Sequence, residues 1–264
     1  MTVAEQNSNP PALITRTQGT GKDLVFLHGW GMNSGVFSEF APLLTEHFRV
    51  TTIDLPGFGE NHQRAPTSYT IAGLADAIQP MLPSNSTVVG WSLGGMVAQQ
   101  LALTAPEQVR ALVTVASTAR FVAGQGWPGI APELLNQFEQ DLVNDYKKTL
   151  ERFLAIQAMG SISARQDIKT IKSSMAAYPE PSQPALAAAL SLLSTEDLRK
   201  DITRIKQPTL RIFGRLDSLV PVSAIDHLCA LHPACDAVVL SKASHAPFIS
   251  HPQQTAQVIR QFLA

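Results

Sequence analysis

Short apolar runs rich in β-branched residues recur along this 264-residue chain, and they constrain its fold more than any other feature. They span residues 24–27, 50–53, 88–89, 111–115, 210–213 and 238–240. Most of the runs are followed by a Gly, Pro or polar turn and then by a segment with helical spacing. This alternation predicts an α/β fold with a mostly parallel central sheet and helices on both faces.

The alternation stops between about residues 127 and 197, where every strong signal is helical. Apolar side chains recur at helical spacing along one long run. A second predicted helix follows this run and ends at Pro179. The first run contains Leu134, Phe138, Leu142, Tyr146, Leu150, Phe153 and Leu154, and the second contains Ile168, Ile171 and Met175. We predict a helical lid, residues 121–197, inserted into a core formed by residues 1–120 and 198–264. Such a lid would cover the carboxyl edge of the sheet, where open α/β sheets bind ligands.

The composition excludes several other classes of protein. Hydrophobic residues make up 45% of the chain and charged residues 16%, so it can bury one large core. A formal charge of −1 gives no field that attracts nucleic acid or an anionic membrane. Cys229 and Cys235 are too few for a disulfide scaffold or a tetrahedral metal cluster, and we expect both to be buried or idle thiols. Residues 1–11 are polar without a signal-peptide pattern, from which we expect a cytoplasmic protein.

The most specific local motif is the pentapeptide Gly-Trp-Ser-Leu-Gly at residues 90–94, between the predicted strand 88–89 and the helical run 96–103. This G-x-S-x-G pattern is typical of a nucleophile elbow, a strained strand-to-helix turn that exposes the serine hydroxyl above the sheet. The helix N-terminus beside Ser92 also favours negative charge. The alternative interpretation is a glycine-rich turn whose serine only caps the helix.

A serine nucleophile needs a base and an acid, which follow it in the order acid, then histidine, in this architecture. Asp217 comes just after the strand 210–213, and His245 comes just after the strand 238–240. Both positions are at predicted strand ends, so we predict that Ser92, Asp217 and His245 form a catalytic triad. The competing acids and histidines lie before Ser92, beside helices or ahead of strands: Asp197, Asp201, Asp226, Asp236, His28, His47, His62, His227, His232 and His251.

Two backbone N–H groups are candidates for binding the oxyanion of a tetrahedral intermediate. Leu93 follows the nucleophile, and Trp30 lies in the stretch His-Gly-Trp-Gly directly after the strand 24–27. We expect His28 in that stretch to brace the loop through hydrogen bonds. The glycines of residues 54–59 indicate a tight structural turn and not a phosphate cradle.

Several motifs together resemble the pimeloyl-carrier-protein methyl ester esterases of biotin synthesis, the BioH family. The matching segments are residues 28–31, 54–59, 90–95, 113–117, 127–130, 151–155, 159–160, 164–167 and 243–252. The resemblance covers nearly the whole chain, including the lid. The polar stretch 60–68 is longer than the usual loop of this family.

This resemblance implies an α/β-hydrolase fold. We expect a monomer, and we expect no cofactor or metal because side chains alone can carry out acyl transfer. The enzyme would hydrolyse the methyl ester of a dicarboxylic acyl chain on acyl carrier protein, with Ser92, Asp217 and His245 as the triad. It implies oxyanion donors at Trp30 and Leu93. The implied acyl site comprises Phe153, Leu154, Ala155, Ile156 and Gln157.

Four basic residues of the lid indicate a docking face for the carrier protein. Lys148 and Arg152 are four residues apart, as are Arg165 and Lys169, so each pair shares one face of its helix. These charges would bind the phosphopantetheine phosphate and the acidic helix of the carrier. A solvated helix face is the alternative. The family uses mainly arginines here, and lysine lacks their bidentate geometry.

Other functions remain open from the residues alone. Within hydrolases, the alternatives are a general short-chain carboxylesterase, a thioesterase and a carbon–carbon bond hydrolase. Dehalogenase and epoxide chemistry is disfavoured, because those relatives have an aspartate where this chain has Ser92. From a different class, a non-catalytic binding module on the same fold is the remaining alternative.

Overall fold

A computed structural model describes residues 12–161 and 163–264, so the polar N-terminal segment 1–11 lies outside the described residues. Its centre is a seven-stranded sheet in the order β1-β3-β2-β4-β5-β6-β7, parallel except for β1, which pairs antiparallel with β3. The strands are β1 Thr15–Gln18, β2 Lys22–Leu27, β3 Phe48–Ile53, β4 Ser86–Trp91, β5 Val109–Val115, β6 Thr209–Gly214 and β7 Cys235–Leu240. The predicted α/β class and its mostly parallel sheet are confirmed, and all six predicted runs lie in strands.

The edge strand β1 was not predicted. Its sequence, Thr-Arg-Thr-Gln, contains no apolar residue, and its side chains are mostly exposed. Strand β1 forms because its backbone pairs in register with β3, from Thr15 opposite Ile53 to Gln18 opposite Val50. Pairing of this kind depends on a neighbouring strand and leaves no local hydrophobic signal.

Helices cover both faces of the sheet. The core helices are α1 Ile71–Ile78, α2 Leu93–Thr104, α7 Ser223–Leu231, α8 Pro247–Ser250 and α9 Pro252–Leu263. Successive residues of a strand point to opposite faces, so Val88 of β4 joins one hydrophobic cluster with α1 and α2, whereas Val89 joins another with α9. The sheet therefore forms the middle layer of a three-layer core.

In the described part of the chain, four α-helices lie between β5 and β6, and we call them the insertion helices. They are α3 Pro132–Asn144, α4 Tyr146–Ala158, α5 Ala164–Met175 and α6 Gln183–Thr195. The prediction of one long helix through residues 134–154 is wrong, because the chain breaks at Asp145, whose carboxylate caps α4 by accepting from the Lys148 N–H at 3.0 Å. Helix α6 was not identified individually. No helix in the described part of the chain is long and apolar enough to span a membrane.

Candidate active site

Ser92 lies at the sharp turn between β4 and α2. Its backbone has φ +55°, a conformation that costs energy for a residue with a side chain, and its side chain is buried among the strand ends. The turn requires glycine on both sides: a Cβ on Gly90 would lie 2.2 Å from the Gly94 carbonyl oxygen, and one on Gly94 would lie 2.4 Å from that of Leu27. The glycines of the pentapeptide therefore allow α2 to start directly against the sheet.

Hydrogen bonds to the end of β5 and the residues after it help to hold the strained serine backbone in place. The Ser92 N–H donates to the Val115 carbonyl at 3.0 Å, and the Ser117 hydroxyl donates to the Ser92 carbonyl at 2.7 Å. Ser117 is buried at the end of β5, next to Gly95, which has no room for a Cβ beside it. We did not predict this support, although a serine directly after a predicted strand was a possible signal.

The three predicted catalytic side chains meet at the carboxyl edge of the sheet. His245 Nε2 lies 2.9 Å from the Ser92 Oγ, and His245 Nδ1 lies 2.8 Å from the Asp217 Oδ2. All three residues are buried, the imidazole completely. Because β4, β6 and β7 are parallel, the loops that follow them lie at one edge, and this brings together residues far apart in the sequence.

Further contacts orient the carboxylate and the imidazole. Asp217 Oδ1 accepts from the N–H groups of Leu219 at 2.8 Å and Val220 at 3.0 Å, which leaves Oδ2 for His245. The Trp91 indole donates to the His245 carbonyl at 2.8 Å. Such an arrangement fixes the proton on His245 Nδ1 and leaves Nε2 free to accept a proton from serine.

The end of α4 is bound to the histidine loop. The carbonyl of Gln157 accepts from the His245 N–H at 3.2 Å and from the Ser244 hydroxyl at 3.0 Å. The Ser244 hydroxyl also lies 2.8 Å from the carbonyl of Met159. We did not predict this connection, because it links segments more than 80 residues apart. It couples the position of an insertion helix directly to the candidate base.

The two predicted oxyanion donors lie beside the serine. Leu93 is the first residue of α2, where N–H groups have no partner within the helix. The loop that carries Trp30 approaches so closely that a Cβ on Gly29 would lie 3.0 Å from the Ser92 Cβ. The Trp30 indole donates to the Leu186 carbonyl at 2.9 Å and packs edge-on against Phe153, with ring centroids 4.7 Å apart. Contacts with the insertion helices thus hold this loop.

His28 braces the same loop, as predicted. Its Nε2 accepts from the Leu55 N–H at 2.9 Å, and its Nδ1 lies 2.8 Å from the Gly29 carbonyl. Burial lowers the pKa of the His28 imidazole, and the nearby Asp54 carboxylate opposes that shift. Asp54 also accepts from the Glu60 N–H at 2.8 Å, so the turn at residues 54–59 has the structural role expected of it.

The predicted acyl-site residues occupy the last turns of α4. Phe153, Leu154 and Gln157 are buried, Ile156 is half-buried and Ala155 is exposed. Both polar atoms of the Gln157 side chain are buried and have no hydrogen-bond partner in the described part of the chain. A buried amide of this kind is suited to bind a polar group of a ligand.

The four predicted docking residues are exposed on the insertion helices. Lys148 and Arg152 lie on α4, and Arg165 and Lys169 lie on α5. Arg152 pairs with the Asp141 carboxylate at 2.7 Å, which reduces the free positive charge of this surface.

A buried Ser, His and Asp in hydrogen-bonded order at the carboxyl edge of an α/β sheet define the class of serine hydrolases. A family model described as alpha/beta hydrolase fold matches residues 23–252. A pimeloyl-[acyl-carrier protein] methyl ester esterase of Aeromonas salmonicida is 51% identical over 93% of this chain and 96% of its own length. One of Vibrio cholerae is 43% identical over 95% of this chain and 98% of its own.

Solved structures share the same fold at low sequence identity. An esterase from Exiguobacterium antarcticum superposes with a TM-score of 0.84 at 22% identity, covering 95% of both chains. The chain belongs to the pimeloyl-[acyl-carrier protein] methyl ester esterase family, within the α/β-hydrolase fold family.

Proposed function

We propose that this protein is a serine carboxylesterase that hydrolyses the methyl ester of pimeloyl-acyl carrier protein in biotin biosynthesis. The observation that carries this proposal is 51% identity to a named esterase of that activity, which extends over 93% of the chain and so includes the insertion helices. Function depends on the site that a fold carries, so a shared core alone would support only the reaction class.

Hydrolysis begins with attack of the Ser92 hydroxyl on the ester carbonyl. His245 Nε2, 2.9 Å from the hydroxyl, takes its proton as the new C–O bond forms. Asp217 stabilises the resulting imidazolium and holds its tautomer. The N–H groups of Trp30 and Leu93 stabilise the oxyanion, and each such donor contributes about 3 to 4 kcal/mol in comparable sites.

Collapse of the tetrahedral intermediate expels methanol, which His245 protonates. A water molecule then attacks the acyl-enzyme, His245 accepts its proton, and Ser92 regains its own as the pimeloyl carboxylate leaves. These side chains and backbone groups supply every proton transfer, so we propose that the reaction needs no cofactor or metal ion.

We propose that residues 121–197 form a lid and that the end of α4 binds the acyl chain. Trp30 and Phe153 would provide apolar surface near Ser92. The buried amide of Gln157 would bind a polar group of the substrate, because its two polar atoms have no partner among the described residues. Since the Gln157 carbonyl also accepts from the His245 N–H, substrate contacts on α4 would align the base.

We further propose that the exposed basic residues of α4 and α5 dock the acyl carrier protein, which would place the reaction in the cytoplasm. Exposed charges of one sign accelerate association with an oppositely charged partner and are weakened by salt. Lys148, Arg165 and Lys169 would contribute most, because Arg152 is already paired with Asp141. A small ester lacks the carrier and would not depend on these residues.

The test compares the methyl ester of pimeloyl-acyl carrier protein with a p-nitrophenyl ester. We expect the lid variant K148E/R165E/K169E to raise KM for the carrier substrate about tenfold and to leave the small ester unchanged. The matched control is K22E/K200E/K206E, which changes the same charge at exposed residues outside α4 and α5.

Three outcomes decide the proposals separately. Equal effects of the two variants on the carrier substrate would refute the docking surface. Failure to release methanol from the carrier ester, with rapid hydrolysis of small esters or of acyl thioesters, would refute the substrate assignment. If fluorophosphonate labels wild-type protein and the variant Ser92→Ala equally, the protein is not a serine hydrolase acting through Ser92.

A further inference from the structure

The cysteine side chains lie next to each other, away from the candidate active site. Cys229 is in the last turn of α7, and Cys235 is the first residue of β7 after a tight turn in which the Cys235 N–H donates to the His232 carbonyl at 3.1 Å. The Cys235 thiol points at the Cys229 sulfur, with 3.9 Å between the two Sγ atoms. Both thiols are free and half-buried, so small reagents can reach them.

An arginine is buried on the same face of the sheet. Strand pairing places Thr209 opposite Cys235 and Arg211 opposite Ala237, so alternation directs the side chains of Arg211 and Cys235 to one side. Arg211 is completely buried. Its guanidinium donates to the Gln99 amide oxygen at 3.1 Å and lies 3.4 Å from the His232 Nδ1, while its Nε has no partner in the described part of the chain.

Among residues 12–161 and 163–264, no carboxylate pairs with this buried guanidinium. An unpaired charge in a protein interior is strongly destabilising. Burial lowers the pKa of Arg211, and negative charge on Cys235 or Cys229 opposes that shift. Burial and Arg211 also lower the pKa of His232, which favours the neutral imidazole. The two sulfurs are therefore the groups able to provide a counter-charge.

The surroundings of Cys229 disfavour a negative charge on its sulfur. Burial and the neighbouring Cys235 raise the pKa of Cys229, although Arg211 opposes the shift. A first negative charge on Cys235 thus disfavours a second one on Cys229. Thiol–disulfide exchange needs one attacking sulfur and a second sulfur that displaces the mixed disulfide, and two sulfurs 3.9 Å apart can fill these two roles.

We propose that Cys229 and Cys235 form a reversible dithiol–disulfide site that reacts with low-molecular-weight disulfides, with Cys235 as the attacking thiolate beside Arg211. The sequence led us to expect buried or idle thiols, and this proposal instead gives both cysteines a chemical role. No group of three His, Cys, Asp or Glu side chains suited to a metal ion occurs in the described residues, so the geometry favours thiol exchange over metal binding.

The exchange proceeds in two balanced steps, with oxidised glutathione as the oxidant. The Cys235 thiolate attacks one glutathione sulfur, forming a mixed disulfide and releasing one glutathione thiolate. Cys229 then loses its proton to solvent and attacks the Cys235 sulfur, which releases the second glutathione. The protein loses two electrons and two thiol protons, and one oxidised glutathione becomes two reduced molecules.

The decisive experiment is intact-protein mass spectrometry after incubation of the full-length protein with oxidised glutathione. We expect wild-type protein to lose about 2 Da and both titratable thiols, and dithiothreitol to restore them. The variant Cys229→Ser should instead keep one glutathione on Cys235, because no second thiol can displace it. The variant Cys235→Ser should react at least about tenfold more slowly than Cys229→Ser.

Some results would overturn the proposal. They are a wild-type protein that stays unmodified, one that gains glutathione without forming the internal bond, and one that forms disulfides between chains. Equal reaction rates of the two single variants would refute the assignment of Cys235 as the attacking residue.

The role of Arg211 is tested in the Cys229→Ser background. Arg211→Lys keeps a cation and Arg211→Met removes it, and iodoacetamide alkylation reports the thiolate at Cys235. We expect methionine to slow alkylation about tenfold and lysine to slow it much less. Melting temperature and p-nitrophenyl esterase activity check that both variants are folded. Equal rates in folded variants would contradict the electrostatic role, and the cysteine variants test the site even if Arg211→Met does not fold.

Discussion

The substitution Asp217→Asn tests the catalytic arrangement most directly. The retained oxygen would continue to accept from the N–H groups of Leu219 and Val220, now at 2.8 and 3.0 Å from Oδ1. The new amide would then point its NH₂ at His245 Nδ1, currently 2.8 Å from Oδ2. Rotating the amide would instead place NH₂ against two N–H donors, so the first orientation is favoured.

In that orientation, His245 Nδ1 must accept a hydrogen bond, and its proton moves to Nε2. The imidazole would then donate to Ser92 and could not take its proton. We expect kcat to fall about 10⁴-fold, or about 5.4 kcal/mol of lost transition-state stabilisation. The melting temperature should change little, because the substitution preserves the volume and both backbone hydrogen bonds.

The assay is steady-state hydrolysis of a p-nitrophenyl ester, with active-site titration to exclude wild-type contamination. Asp226→Asn is the matched control, since Asp226 is an exposed acid on α7, and its activity should equal that of the wild type. A loss below about tenfold in a folded Asp217→Asn protein would refute the tautomer argument. Another acid would then have to orient His245.

Three further predictions concern the surroundings of the site. Trp91→Phe removes the hydrogen bond from the indole to the His245 carbonyl and should reduce kcat about fivefold, the equivalent of one neutral hydrogen bond. An unchanged kcat would show that other contacts hold the loop that carries His245. Gly94→Ala places a Cβ 2.5 Å from the His28 carbonyl oxygen and should lower the melting temperature and abolish activity. The control Gly126→Ala has an unobstructed Cβ and should lower the free energy of unfolding by only about 1 kcal/mol. Similar melting curves for the two variants would contradict this prediction. Because burial lowers the pKa of His28, its neutral form stabilises the fold above about pH 6.5, and this stability is lost as pH falls, by up to about 1.4 kcal/mol per pH unit. Urea titrations at several pH values should therefore show that the free energy of unfolding falls less steeply with decreasing pH in His28→Gln than in the wild type. An equal slope in the two proteins would exclude His28 as a source of the pH dependence.

Much of the fold was predictable because its signals are local. All six predicted apolar runs are strands, and the pentapeptide at residues 90–94 forms the expected turn. Edge strand β1 was not predicted, because an exposed polar strand is stabilised by backbone pairing with β3 and carries no apolar signal. The break at Asp145 was missed because the apolar spacing continues across it, although an Asp before a new helix is a capping signal.

The candidate triad was also predictable, since the order of serine, acid and histidine and their positions after strands restrict the choice. The contacts that hold the triad in place were not predictable. Ser117, Trp91 and the carbonyl of Gln157 act through contacts between segments distant in the sequence. The relation of Arg211 to the two cysteines is of the same kind, because the register of β6 and β7 places them on one face.

Local sequence patterns were enough to predict the alternation of strands and helices and the glycine-dependent turn at Ser92. These depend on spacing and side-chain type over a few residues, where steric and hydrophobic preferences act directly. The hydrogen bonds that orient His245, the contact of α4 with the histidine loop and the groups around Arg211 could be found only in the folded structure. Those interactions depend on the register of parallel strands and on helix packing, which position side chains to within a hydrogen-bond length and which no local pattern encodes.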